Sequence, residues 1–528
     1  MKAKPLSPAL ARALGSCRRA LRPALIAASA LSLEGPVAAQ IFTTLHSFAP
    51  TPAPAYSNSE GASPQGGLVF SGGTLYGTAY AGGSAGNGTV FALNADGSGL
   101  RVLHSFTARF APYYTNSDGA APSYSMVLSG NTLYGTAFKA GTADNGTTFV
   151  LATNGTSFTR LYSFSVTTCD PNNYFPPCGI NSDGARPFAV IVSGDMLYGT
   201  TWFGGTSAHG AVFAMHTDGT SSANLHSFTA GSGSYPIITN SDGAYPYALV
   251  LSGSTLYGTA VFGGRSTNGT IFALGTDGTG FRTLHSFTPT FGSAGVFGGG
   301  TNSDGAAPYG LMLSGGTLYG TTFNGGSGGN GTVFALSTNG TGFTTLHAFP
   351  PAPSPSYANS DGANSDAGLI LSGNTLYGTA VNGGLEGNGT VFALSTDGTG
   401  FTTLHSFTAT FGSDSGNGDG STPYSGLVLS GNTLYGTASA GGNVGNGTVF
   451  SISLPAPQLS LTAPGTNVVL AWPTNSAGFD FTGYSLQSSP SLAAPVWAVV
   501  SQSPVVVNGQ LTVTNFVTGS QQFYRLSQ

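Results

Sequence analysis

The tetrapeptide Leu-Tyr-Gly-Thr occurs seven times in this chain, with its tyrosine at Tyr76, Tyr134, Tyr198, Tyr257, Tyr319, Tyr377 and Tyr435. The intervals are 58, 64, 59, 62, 58 and 58 residues. A period of this kind marks a supersecondary unit that cannot bury its own apolar faces and must stack on its neighbours. Each unit holds four short segments that read as strands. Around Tyr377 they are Gly368–Ser372, Thr375–Ala380, Gly389–Ser395 and Phe401–Phe407. Gly373-Asn374 joins the first pair as a two-residue hairpin, whose central positions both need positive φ. Asp397-Gly398-Thr399-Gly400 joins the third to the fourth, and a glycine-rich loop from Val381 to Asn388 joins the second to the third.

The two ends of the array are offset. Ile41 to Phe48 is a fourth-strand segment with no first, second or third strand before it, whereas Gly447 to Ile452 is a third strand with no fourth after it. The spare strand at one end matches the vacancy at the other, and an open solenoid has no use for such an offset. The sequence therefore predicts an all-β chain: a seven-bladed β-propeller of four-stranded blades closed by its N-terminal strand, which removes exposed edges. If the first strand of each blade is innermost, the fourth is outermost.

At 528 residues the chain is long enough for this array and one further module. Only 6% of residues are charged and 82 are glycine, yet glycine does not fall at every third position, and 40% hydrophobic content excludes disorder. Residues 1–39 read as a signal peptide. Lys2, Lys4, Arg12, Arg18, Arg19 and Arg22 precede an apolar run from Pro23 to Leu33, and Val37-Ala38-Ala39 suits cleavage before Gln40. That run is too short to span a bilayer. Leu14-Gly15-Ser16-Cys17 is lipobox-like but lies on the wrong side of the run. From Gln40 onward the chain keeps 8 of its 14 basic residues and 18 of its 19 acidic ones, a net charge of −10. Nucleic acid is thereby disfavoured as a partner, since phosphate binding needs a basic surface. Cys169 and Cys178 read as a loop disulfide in an oxidising compartment.

The pattern changes after residues 454–457, Leu-Pro-Ala-Pro, read as a linker. Residues 458–528 carry alternating segments such as Asn467–Ala471 and Gln510–Asn515 with Trp472 between apolar neighbours, the pattern of a small β-sandwich.

The unit Ser-Asp-Gly-Ala, Leu-Tyr-Gly-Thr, Gly-Gly, Gly-Asn-Gly-Thr-Val-Phe-Ala-Leu, Leu-His-Ser-Phe resembles the GloVer (Gloeobacter–Verrucomicrobia) tandem repeat of exported bacterial proteins. The resemblance covers about residues 41–453. The tail is similar to the fibronectin type III-like C-terminal modules of verrucomicrobial exported proteins. The resemblance implies export and a repeat architecture (residues 40–453), and it carries over no catalytic residue.

Six histidines share one register, His46, His104, His226, His285, His347 and His405, with Tyr162 in the seventh place. A metal ring is one reading. Alternation instead puts His405 on the face of Phe401 and Phe407, packed between blades, and tyrosine at the seventh place suits packing better than ligation. A carboxylate recurs before each first strand: Glu60, Asp118, Asp183, Asp242, Asp304, Asp361 and Asp419. Around one mouth of a central channel these would suit calcium, but Asn-Ser-Asp-Gly is also a plain turn sequence, and the turn is the preferred reading. Other acids, Asp144, Asp170, Asp195, Asp366, Glu386 and Asp414, form no recognisable catalytic pair.

The units differ most in two loops that share one face of such a propeller. The loop before the first strand varies in length and holds Tyr113, Tyr114, Tyr174, Phe175 and Tyr235. The loop between the second and third strands holds Tyr80, Phe138, Lys139, Trp202, Phe203, His209, Phe262 and Arg265 in units one to four. Later units place smaller residues there, such as Asn324, Asn382 and Ser439. Variable loops on a rigid scaffold commonly carry function, and exposed aromatic rings suit sugar stacking or a protein interface; many of these rings could equally cap the sheets. The preferred expectation is a monomeric, extracellular or cell-surface, non-catalytic binding scaffold for a glycan or protein, with no catalytic or metal residue. The alternatives are a structural envelope or matrix protein and a secreted polysaccharide hydrolase or lyase.

Overall fold

The computed structural model describes residues 40–527 except 123, 125, 170–178, 235–236, 293–299, 354–355, 413–414, 464–466, 477–478, 493–494 and 517–521. The signal peptide expected over residues 1–39, the disulfide expected between Cys169 and Cys178, and Tyr174, Phe175 and Tyr235 lie outside them. Among the described residues every regular element is a strand, and no helix is long and apolar enough to cross a membrane.

The repeat units form seven four-stranded antiparallel sheets in sequential strand order. Around Tyr377 the strands are Ile370–Ser372, Thr375–Ala380, Thr390–Ser395 and Thr402–Ser406, each within a residue or two of the expected segment. The offset strand Ile41–Ser47 lies along Thr448–Ser453, with Ile41 opposite Ser453 and Ser47 opposite Thr448, and so completes the sheet of the last unit.

Leu-Tyr-Gly-Thr is explained position by position. Its leucines, Leu75 to Leu434, are fully buried. Its glycines pass beneath the ring of the third-strand phenylalanine one strand over. A Cβ at Gly258, for example, would come within 3.0 Å of both Phe272 and the backbone oxygen of Ala248. Its threonines donate a hydrogen bond to the first strand of the following unit: Thr136 to Phe188 O at 2.8 Å, Thr200 to Tyr247 O at 2.8 Å, Thr259 to Tyr309 O at 2.9 Å. The series continues through Thr321 and Thr379, and Thr78 bonds Tyr124 O at 3.4 Å. From the last unit Thr437 reaches Gly66 O of the first unit, also at 3.4 Å. Between these bonds, each pair of neighbouring sheets shares an apolar layer; Tyr257, Ile271, Phe287, Leu318 and Phe334 form one.

Beyond Ser453 the chain forms two further sheets, one of Ser460–Thr462, Asn467–Pro473, Gln510–Phe516 and Val505–Val507, the other of Ala498–Val499, Ser485–Ser489 and Phe523–Ser527. Trp472 is fully buried among Leu470, Phe481, Leu486, Leu511 and Val513. This apolar layer is continuous with that of the last repeat sheets through Leu454 and Leu434, and Tyr484 Oη donates to Asn432 Oδ1 at 2.6 Å.

Candidate functional site

The two repeated polar registers of the sequence meet each other. Each fourth-strand histidine pairs with the carboxylate of the turn that follows it: His104 Nε2 to Asp118 Oδ2 at 3.0 Å, His226 to Asp242 at 3.1 Å, His285 to Asp304 at 3.0 Å, His405 to Asp419 at 2.9 Å, with His46–Glu60 and His347–Asp361 alike at 3.1 Å. Tyr162 Oη takes the same place toward Asp183 at 2.8 Å. The rings of His104, His226, His285, His347 and His405 each lie flat on a phenylalanine, as His226 does on Phe281 with centroids 3.8 Å apart. The carboxylate also accepts a backbone N–H and a hydroxyl, from Thr229 on Asp242 and Thr107 on Asp118. Both carboxylate oxygens of Asp118, Asp183, Asp242, Asp304 and Asp419 are engaged in this way, which makes the turn a structural clasp between the fourth strand and the segment after it. Among the described residues no three His, Cys, Asp or Glu side chains converge to hold a metal.

Burial alone would raise the carboxyls of Asp118, Asp242, Asp304 and Asp419. The histidine, threonine and backbone hydrogen bonds together outweigh it and hold all four below the ordinary carboxylate range.

Trp202, Phe203 and Phe262, expected in the loops between second and third strands, instead end the second strands Met196–Phe203 and Thr255–Phe262, which run two residues longer in these units than in unit six; with Phe138 and His209 they join one aromatic cluster. Phe262 is buried; Tyr80, Phe138, Lys139, Trp202, Phe203 and His209 are half-buried, and Arg265 is exposed. Trp202 stacks on Phe188 with centroids 5.0 Å apart and packs near Tyr245 at 5.6 Å, while Phe203, Phe262 and His209 meet the edges of Tyr245. Lys139 Nζ lies 5.3 Å from the ring centre of Tyr80. Burial lowers the His209 imidazole below its usual range. These rings cover one another, because the first strands beside them carry the bulky partners Phe188, Tyr245 and Tyr247.

The most exposed aromatic rings stand instead on the loops before the first strands. Tyr56 is 62% exposed, Phe110 69%, Tyr113 76%, Phe291 72%, Tyr357 55% and Phe411 73%. Small backbone closures hold several of them outward: Phe110 N–H donates to Thr115 O at 2.9 Å, Phe291 to Thr301 at 2.8 Å and Phe411 to Gly416 at 2.8 Å. Tyr56, Tyr114 and Tyr357 sit at φ of 49°, 52° and 52°, a left-handed conformation that costs a bulky side chain energy and is retained where the surroundings enforce it.

A third feature was not singled out in the sequence. First strands of units two to five, together with the segments just before the first strands of units one, six and seven, line a cavity of about 250 Å³, with Gln65, Tyr124, Tyr247, Asp366 and Tyr424 among its residues. Tyr124 Oη donates to Tyr247 Oη at 2.7 Å, and Tyr247 Oη donates to Asp366 Oδ1 at 3.0 Å. Asp366 keeps part of its surface open to the cavity while protein surrounds it on every side. This burial pushes its carboxyl up to about 7, against the weaker opposing pull of the Tyr247 bond. Burial likewise drives the Tyr124 and Tyr247 phenols well above their usual range, with the Asp366 charge adding to it. Two other acids outside the turn register are paired, Asp144 with Arg186 at 3.3 Å and Asp195 with His216 at 3.6 Å. Glu386 is exposed, and Asp170 and Asp414 lie outside the described residues. A signal for Asp366 did exist: in the column after the first-strand proline, where other units carry Phe188, Tyr247, Tyr309 and Tyr424, unit six reads Ser365-Asp366.

The Gloeobacter/Verrucomicrobia repeat matches residues 37–237 and 296–464, more than half of the chain. The chain belongs to this repeat family. No curated protein is similar to it in sequence. Among solved structures it is similar to oligogalacturonate lyase from Vibrio parahaemolyticus at 10% identity, over 79% of this chain and 97% of that one, with a TM-score of 0.44. A second likeness is to a putative 6-phosphogluconolactonase from Bacteroides uniformis, at 15% identity over 65% of this chain and 84% of that one, with a TM-score of 0.40. The matched residues include the clasps His46–Glu60, His104–Asp118, His347–Asp361 and His405–Asp419, as well as the exposed loop aromatics of units one, two, six and seven.

Proposed function

We propose that this repeat-family protein is an exported, monomeric, non-catalytic binding scaffold that engages an extracellular glycan through exposed loop aromatics. In this reading the seven sheets are the blades of one closed β-propeller, and residues 458–528 are a fibronectin type III-like module behind it. The run of threonine hydrogen bonds that returns from Thr437 to Gly66 supports closure. The observation that carries the binding reading is the set of single aromatic rings held outward on successive loops, Tyr56, Phe110, Tyr113, Phe291, Tyr357 and Phe411. Separate rings, each offering one flat face, suit the repeated units of a polysaccharide better than the contiguous apolar core of a protein interface. Weak contacts on one rigid frame then add through effective concentration. The loop between second and third strands contributes Arg265, and the end of the second strand Met196–Phe203 contributes the half-buried Trp202 and Phe203.

Hydrolysis of a polysaccharide is the less supported reading. Glycosidases use two carboxyl groups roughly 5–9.5 Å apart across the scissile bond, and the described lining of the cavity offers one carboxylate, Asp366. A carbohydrate array on the folded chain from Gln40 onward tests the proposal. Binding to an extended glycan is expected, lost stepwise in Phe110→Ala, Tyr113→Ala and Phe411→Ala variants that melt like the parent. Binding that survives the triple substitution, or an array without any signal, would overturn it.

A further inference from the structure

The cavity holds one ionisable acid, Asp366, among tyrosine and mostly apolar side chains. No lysine, arginine or histidine lines it among the described residues. Two of its phenol protons are committed inward, Tyr124 to Tyr247 and Tyr247 to Asp366 Oδ1. The rest of the wall is the Asp366 carboxylate, the tyrosine rings, Gln65 and aliphatic residues such as Val127, Leu249 and Leu311, and no hydrogen bond from a described residue reaches the second oxygen, Asp366 Oδ2. Tyr309 meets Tyr247 edge-on at 4.6 Å and holds it in place. In the same column units three, four, five and seven carry an aromatic ring and unit one carries the neutral Gln65, so an acid at this place is peculiar to unit six.

We propose that this cavity binds a small organic cation, an ammonium or methylated ammonium solute, with Asp366 as its counter-ion and the rings of Tyr124, Tyr247 and Tyr424 as its cage. Aromatic faces attract such cations through the ring quadrupole, most strongly when desolvated. A divalent metal ion is a poorer match, since calcium takes 6–8 oxygen ligands and one carboxylate is present here. The cavity volume of about 250 Å³ lies below the roughly 300–1,000 Å³ of sites for drug-sized molecules, which limits the solute to a few carbons. Burial leaves Asp366 half-protonated near pH 7, so the cation binds with release of a proton and binds more tightly as pH rises from 6 to 8. This site is separate from the loop rim and does not depend on the glycan reading.

Titration calorimetry on the folded chain, with choline and its neutral isostere 3,3-dimethyl-1-butanol, tests the assignment. Choline is expected to bind at about 1 mM or tighter, with affinity rising between pH 6 and 8, and the isostere at least ~10-fold more weakly. Asp366→Asn should weaken choline by a similar factor and abolish the pH dependence. Tyr424→Leu, at a partly exposed position, should weaken choline without affecting the fold, and it keeps the test decisive if Asp366→Asn does not fold. N-acetyl-lysine amide, standing for a side chain of a protein partner, is expected not to bind. Equal binding of the two isosteres, unchanged affinity in the variants, binding of the lysine amide alone, or no saturable heat with choline at about 20 mM would each overturn the proposal.

Discussion

Four residue types carry most of the repeat's information, and each does one physical task. The leucine of Leu-Tyr-Gly-Thr fills the sheet interior, its glycine yields to the phenylalanine ring across the strand, and its threonine ties one sheet to the next. The fourth is the aspartate of the histidine clasp. Asp118, Asp242, Asp304 and Asp419 have folded-state pKa values lowered below their ordinary range. Their contribution to stability is therefore complete above the unfolded-state value near 3.9 and is lost as pH falls through the lower folded-state value. Urea unfolding at pH 7 and pH 3 should show a steep loss at the acid end, reduced in Asp242→Asn. At pH 7 that substitution should itself cost about 1–3 kcal/mol. Asp366 has the opposite sign. Its carboxyl is raised to about 7, so its favourable contribution is complete below pH 4 and disappears as pH rises through 7. Asp366→Asn should leave stability at pH 3.5 nearly unchanged and raise it at pH 8.5, by less than about 4 kcal/mol because the cavity side of the carboxylate is wet. An equal effect at both pH values would contradict the buried-carboxylate account. The roles of Leu434 and His405 were readable from periodicity and alternation. That of Asp366 was not, because a single acid in one unit has no recurrence to mark it.

At the scale of strands and loops, hairpin chemistry and period were sufficient to place the elements. Gly373-Asn374 lies between Ile370–Ser372 and Thr375–Ala380, with Gly373 at φ 57°. The conformation at Gly258 is ordinary, so its constraint is space alone. Gly258→Ala should cost about 1–3 kcal/mol by overpacking against Phe272, read as a lower urea midpoint with unchanged slope. A melting curve identical to the parent would mean that the sheet can shift to admit the methyl group. Loops were less legible. Trp202 and Phe203 stand in a variable loop as openly as Phe110 does in the sequence, yet they are half-buried because Phe188, Tyr245 and Tyr247 rise to meet them. Exposure in a loop depends on the neighbouring strand's residues, and pairs so far apart in sequence leave no local pattern.

Across the whole molecule, the strand Ile41–Ser47 does more than occupy an edge. Phe42 stacks on His405 at 3.7 Å and lies 5.3 Å from Phe450, so the first strand of the chain packs against sheets built from its last repeats. Deleting residues 41–48 should expose Thr448–Ser453 as an open edge, lower the melting temperature and produce concentration-dependent association in light scattering, since unpaired edges template further pairing. Tyr484→Phe, which removes the bond to Asn432, should cost about 1 kcal/mol and lower the temperature at which residues 458–527 lose protection in hydrogen exchange.

Recurrence is what the sequence alone could establish. Seven equal units, four strands in each, the fourth-strand character of Ile41–Ser47 and the all-β class follow from spacing, turn chemistry and alternation, which are properties of neighbours along the chain. The tertiary structure decided which repeated groups face each other and which solitary ones line a cavity: His104 with Asp118, Thr437 with Gly66, and Asp366 beside Tyr247 and Tyr424. The physical reason is distance along the chain. Thr437 and Gly66 are separated by 371 residues, and no local periodicity encodes a contact made only when the first and last units are brought side by side.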